Sequence, residues 1–172
     1  FNEENYIRGV IDDLYVYFAN VLIINDGSTD DTYKISKKTN KCKVINHLIN
    51  TGQGVSILTG LRYFLYKTNL DYIITFDADG QHRAIDAYNM LNYARSTNQK
   101  VVFGSRFISS DQEKIPKFRS LFLKLAVLFE RFIFGFKLSD SHNGLRVLDR
   151  ESSKFLLSIK SSKMAHATEI PF

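Results

Sequence analysis

Asp77 and Asp79, separated by one alanine and followed by Gly80 and Gln81, are the side chains of this chain best suited to chemistry. In an extended turn, carboxylates at i and i+2 can converge on one oxygen-liking cation, and an amide oxygen from Gln81 can join them. Hard oxygen donors of this kind suit Mg²⁺ or Mn²⁺, which can bridge diphosphate oxygens and offset charge on a departing phosphate. Taken alone, the tripeptide equally describes an acidic turn; its position directly after the apolar run Tyr72 to Phe76 favours the ligand reading. A second acidic segment, Asn25-Asp26-Gly27-Ser28-Thr29-Asp30-Asp31, follows the apolar run Val21 to Ile24. Asp26 can accept hydrogen bonds from a nucleobase N–H or a ribose hydroxyl, while Ser28 or Asp30 can cap a following helix. As a bare turn, the same segment would be an Asx turn plus a cap. Asn50-Thr51-Gly52-Gln53-Gly54 lacks the third glycine of a dinucleotide fingerprint, and the chain has no phosphate-binding GxxxxGK[ST] loop.

These motifs need a scaffold, and the chain supplies one by alternation. Short apolar runs at Val21 to Ile24, Lys43 to Asn46, Tyr72 to Phe76 and Lys100 to Phe103 predict buried strands. Between them Thr32 to Thr39, Val55 to Tyr66 and Ala84 to Ala94 have helical character. Strand and helix in turn predict right-handed βαβ crossovers and a mostly parallel, Rossmann-like sheet flanked by helices. Such a sheet binds ligands beyond the carboxyl ends of its strands, where both acidic motifs fall. Asn2-Glu3-Glu4 reads as a helix start with Asn2 as cap, followed by Ile7, Val10, Ile11 and Leu14 at core-facing spacing. A strand is expected before it, so the first strand of the fold is expected to be missing from the chain as given.

Composition sets the outer bounds. The 172 residues are 44% hydrophobic and 24% charged, which is the balance of a globular domain, and no Pro/Gly/Ser-rich linker divides residues 1–172. Cys42 is the single cysteine, which rules out an intrachain disulfide and disfavours a Cys-based zinc site. The net charge of +5 is concentrated: seven basic residues against three acidic ones lie between Arg106 and Lys137. The most apolar stretch, Leu121 to Phe136, is interrupted by Lys124, Glu130 and Arg131 and is too short and too charged to span a bilayer.

The motifs in their order resemble family 2 glycosyltransferases of the GT-A fold. Phe1-Asn2-Glu3-Glu4 resembles that family's YNEE segment, VLIINDGSTDDT (21–32) its VDDGSTDGT segment, NTGQG (50–54) its N-x-G-x-G turn, and FDADGQH (76–82) its metal motif. Gly104-Ser105-Arg106 and the segment Asp140 to Arg146 are similar to those of the polyprenyl- and dolichyl-phosphate sugar transferase branch. The resemblance implies that Glu3 and Asp26 contact the nucleoside, that Asp77, Asp79 and Gln81 hold Mg²⁺ or Mn²⁺ and through it the diphosphate, and that Arg106 and Arg119 lie near phosphate groups. Guanidinium forks suit phosphate oxygens, although either arginine taken singly could be a surface ion pair. His142, Asn143 and Arg146 are expected toward the acceptor, and Glu169 is the candidate general base. A hydroxyl acceptor needs such a base, whereas a phosphate acceptor is already an anion.

The expected activity is therefore inverting, metal-dependent sugar transfer from a nucleotide-diphosphate sugar to a polyprenyl phosphate or a saccharide hydroxyl, in cell-envelope glycan or glycolipid synthesis. A nucleotidyltransferase and a non-catalytic nucleotide-sugar-binding module are the alternatives. Leu121, Leu125, Leu128 and Phe132 share one helical face flanked by Lys117, Arg119, Lys124 and Arg131. Residues 117–136 can thus either rest in a membrane interface or pack on the sheet. The corresponding location is cytoplasmic, at the inner face of the membrane, with no nucleic acid partner.

Overall fold

A computed structural model describes residues 1–104 and 144–157. Arg106, Arg119, His142, Asn143, Glu169 and the segment 117–136, for which the sequence suggests a membrane or packing role, lie outside the described residues. Within them the elements run α1 (Ile7–Tyr17), β1 (Leu22–Asn25), α2 (Thr32–Lys38), β2 (Lys43–Asn46), α3 (Gln53–Lys67), β3 (Tyr72–Thr75), α4 (Ala84–Thr97), β4 (Val101–Phe103), β5 (Arg146–Asp149) and α5 (Arg150–Leu156). All four apolar runs form strands, and the three helical stretches lie where periodicity puts them.

The sheet departs from the expected pattern. β1 and β2 pair in parallel, with Leu22 opposite Lys43 and Asn25 opposite Asn46. The other three strands form a sheet in the order β3-β5-β4, and β5 is antiparallel to both neighbours. The expected mostly parallel sheet is thus corrected: among the described residues only β1–β2 is parallel. β3 and β4 do point the same way, as a βαβ unit requires, but β5 arrives from far along the chain and takes the place between them. Alternation of strand and helix predicts direction; it does not predict which strand becomes the neighbour.

β5 belongs in the interior because both of its faces are apolar. Leu148 packs with Leu61 of α3 and Leu156 of α5, while Val147 on the opposite face packs with Leu91 and Ala94 of α4. All of these side chains are buried. On the helical side, Ile7, Val10 and Ile11 bury one stripe of α1.

Helix ends are satisfied by distant groups. The Asp13 carboxylate of α1 accepts the N–H of Ala84 at the start of α4, 2.8 Å away. Arg150 of α5 donates to the carbonyls of Leu65 (2.7 Å), Thr68 (3.1 Å) and Leu70 (3.0 Å) at the end of α3. Asn2 does not cap α1: the helix starts at Ile7, and Asn2 has φ +58°. Its side-chain oxygen instead accepts the N–H of Thr29, and its own N–H donates to Ser28 Oγ, tying the segment before α1 to the loop after β1. Ser28 Oγ donates to Asn25, so the start of α2 is served by Asp30, whose carboxylate accepts the N–H and hydroxyl of Thr32.

Candidate active site

The two acidic motifs leave the carboxyl ends of β1 and β3 and face one cleft of about 1570 Å³. Glu3, Asp26, Thr51, Gln53, Asp77 and Asp79 all line it. The structure thus brings together side chains from four of the six segments that the sequence motifs singled out, although Glu3 and Asp79 stand at opposite ends of that stretch of chain.

Asp26 is 5% exposed, and both of its oxygens are occupied. Oδ1 accepts the N–H of Thr51 at 3.0 Å, the hydroxyl of Thr51 at 2.6 Å and Nδ1 of His47 at 2.8 Å; Oδ2 accepts the N–H of Gly52 at 2.7 Å. Burial by itself would raise this carboxyl, but the donors from Thr51, His47 and Gly52 outweigh it and lower the pKa from 3.8 to about 2. Asp26 is therefore the anchor of the Asn50–Gly52 turn. That clamp requires Gly27: at φ +65°, a Cβ there would meet the backbone of Ile49 and Asn50, 2.6 Å from the Asn50 nitrogen.

Asp77 is half-buried. Gln53 Nε2 donates to its Oδ1 at 2.9 Å, and His82 Nε2 stands 3.9 Å from its Oδ2. Burial pushes its pKa up, yet His82, the Gln53 amide and the Arg146 guanidinium bring the net shift below the ordinary carboxylate value. Arg146 lies in β5 and is only 2% exposed, so its charge reaches Asp77 from inside the sheet. Gly144, at the start of β5's approach, abuts the same carboxylate closely enough that a Cβ would overlap Asp77 Oδ2. The Thr75 hydroxyl fixes that approach by donating to the Gly144 carbonyl at 2.7 Å.

Asp79 Oδ1 accepts the N–H of Gln81 at 2.9 Å, which curls the turn, and Gln81 itself is exposed. His82 lies edge-on to Phe76 with ring centroids 5.5 Å apart. Glu3 is raised above its ordinary pKa by burial and then by the negative charges of Asp79, Asp30 and Asp77, with the amino terminus pulling the other way. The charges of Asp77 and Asp79 thus reach Glu3 across the cleft.

Among the described residues no group of three or more His, Cys, Asp or Glu side chains is arranged to hold a metal ion. Two carboxylates, one kept ionised by neutral and cationic neighbours, fit a hard divalent ion that takes its remaining ligands from substrate and water. Sequence reasoning missed Gln53 and Arg146 as partners of Asp77. Their only sequence signals were positions inside the NTGQG and DSHNGLR segments, since the contacts depend on packing between distant parts of the chain.

Against known proteins, the family model described as Glycosyl transferase family 2 matches residues 1–157. The chain belongs to this family. Among curated proteins, it is 31% identical to a UDP-N-acetylglucosamine–dolichyl-phosphate N-acetylglucosaminyltransferase of Methanococcus voltae, over 91% of this chain and 69% of that protein. It is 25% identical to a dolichyl-phosphate beta-glucosyltransferase of Trichomonas vaginalis, over 91% of this chain and 53% of the relative. Among solved structures, glucosyl-3-phosphoglycerate synthase of Mycobacterium tuberculosis, crystallised with Mn²⁺ and UDP-glucose, superposes with a TM-score of 0.63 at 19% identity, over 88% of this chain and 54% of that one. That likeness establishes a GT-A-like α/β fold. This family 2 chain thus spans about half the length of the solved structure it matches.

Proposed function

We propose that residues 1–172 form a single catalytic domain of an inverting, metal-dependent family 2 glycosyltransferase that moves a sugar from a nucleotide-diphosphate sugar to a dolichyl-type polyprenyl phosphate in glycan synthesis. The observation that carries this reading is the ionised, half-buried Asp77 beside Asp79 at the end of β3, facing the same cleft as Glu3 and the Asp26-clamped turn. The names of the relatives from Methanococcus and Trichomonas support the lipid-phosphate acceptor, and the UDP-glucose complex of the mycobacterial enzyme supports a UDP-sugar donor.

In this reading Asp77, Asp79 and Gln81 would hold Mg²⁺ or Mn²⁺, which would supply positive charge for the diphosphate leaving group. Glu3 faces the nucleoside. Asp26, with both oxygens occupied by the 51–52 turn, serves the nucleoside by shaping that wall of the cleft. Arg106 and Arg119 supply guanidinium groups for donor or acceptor phosphates, and the segment 117–136 brings the domain to the inner face of the membrane. No helix among the described residues is long and apolar enough to cross a membrane.

The test is calorimetric titration of the purified protein with UDP and UDP-sugars in the presence and absence of Mn²⁺, followed by turnover with dolichyl phosphate. Donor binding should require the ion, and Asp79→Ala should abolish this metal-dependent binding, while the fold survives because a loop carboxylate contributes little to the core. Metal-independent binding with parent-like affinity in Asp79→Ala would sink the reading. A nucleotidyltransferase would instead release pyrophosphate when given a nucleoside triphosphate and a sugar 1-phosphate, and would not turn over the UDP-sugar with dolichyl phosphate.

A further inference from the structure

β1 and β3 carry the two acidic motifs, but they share no hydrogen-bonded ladder among the described residues. What runs between them is a polar chain through the start of α3. Asp26 holds the N–H groups of Thr51 and Gly52, Gly52 is the residue immediately before α3, and Gln53, its first residue, donates its amide to Asp77 Oδ1 at 2.9 Å. The far oxygen of Asp77 is confined by Gly144 and faces His82. One carboxylate is thereby fixed in rotation by an amide whose own backbone is fixed by another carboxylate.

We propose that Gln53 is a positioning residue for Asp77, and that through it the Asp26-clamped turn sets the geometry of the cation site. A carboxylate ligand works only when held within a fraction of an ångström of its productive position. A neutral amide suits this role because its N–H favours the ionised carboxylate while adding no positive charge to compete with an incoming cation. Its attachment to the first residue of a 15-residue helix, beside a turn that donates three hydrogen bonds to Asp26, limits how far the amide can drift. The inference rests on the reading of Asp77 as a cation ligand.

The experiment is titration of Mn²⁺ into the full chain with UDP present, by calorimetry and by loss of the free-ion paramagnetic resonance signal. Gln53→Met keeps side-chain length and removes the donor. It should raise the half-saturating Mn²⁺ concentration by about 10- to 100-fold, the usual effect of losing a group that orients a metal ligand, with a metal-free melting temperature close to the parent's. Gln53→Asn retains an amide but is one methylene short of Asp77, so it should lose similar affinity, and it decides the matter if Gln53→Met does not fold. Asp26→Asn should weaken Mn²⁺ binding in the parent and add little in the Gln53→Met background, because both changes break one linkage. Parent-like Mn²⁺ affinity in the Gln53 variants, or full additivity with Asp26→Asn, would overturn the proposal. Parent-like affinity in Asp77→Asn and Asp79→Ala would instead overturn the cation-site reading beneath it.

Discussion

Asp26 is the residue whose chemistry is most completely determined by its surroundings. Its folded-state pKa of about 2 lies below the 3.8 of an unperturbed group, so the stability it contributes is present above pH 4 and is lost as pH falls through about 2. The depression corresponds to about 2 kcal/mol at neutral pH. Asp26→Asn should therefore unfold at lower urea concentration at pH 7, by about 2 kcal/mol, and should show a flatter loss of stability between pH 4 and pH 2 than the parent. Denaturation curves across that range measure both effects. Glu169 offers a second test at this scale, read from turnover. If the acceptor is a phosphate, Glu169→Gln should cost less than about tenfold; if it is a hydroxyl, losing the base should cost about 10²- to 10⁴-fold.

Elements in this protein are held in place by side chains from other elements. The Arg150 guanidinium gathers the last carbonyls of α3 and lies 5.0 Å from the Phe64 ring centroid, so α5 closes the end of the helix whose first residue reaches Asp77. Arg150→Met should cost about 2–3 kcal/mol by chemical denaturation, and Arg150→Lys should recover only part of it, because an ammonium cannot match the fork. Gly144 makes the corresponding point at the edge of β5. In Gly144→Ala the new methyl takes space that the Asp77 carboxylate occupies, so Mn²⁺-dependent UDP binding should fall by about tenfold or more even where the protein stays folded. Calorimetry together with a circular dichroism melt separates the two effects.

At the scale of the molecule, cation and donor should act as one ligand. Mn²⁺ plus UDP, each far above its dissociation constant, should stabilise the fold by about 2–3 kcal/mol at roughly hundredfold saturation and raise the melting temperature by several degrees. Neither alone should reproduce that rise if the diphosphate completes the coordination begun by Asp77 and Asp79. A thermal-shift series with Mn²⁺, UDP and both checks it, with Asp79→Ala as the control that should lose the increment.

Much of this was legible in the residue order. The strands β1 to β4 could be read because each is a short apolar run bounded by turn formers, and α2 to α4 because their apolar positions recur at helical spacing. The acidic motifs could be placed at strand ends for the same local reason, and the family followed from their order. Three features were not local. β5 is a four-residue strand whose neighbours lie at Tyr72–Thr75 and Val101–Phe103, so its insertion between β3 and β4 depended on two apolar faces finding α4 on one side and α3 with α5 on the other. Asn2 reads as a helix cap by type, yet the loop after β1 claimed its side chain. The Gln53 amide and the Arg146 charge reach Asp77 from distant parts of the chain. Sequence determined which carboxylates stand at strand ends, because that is set by a few neighbouring residues; the fold decided what surrounds each one, because hydrogen bonds and charge act through space and not along the chain.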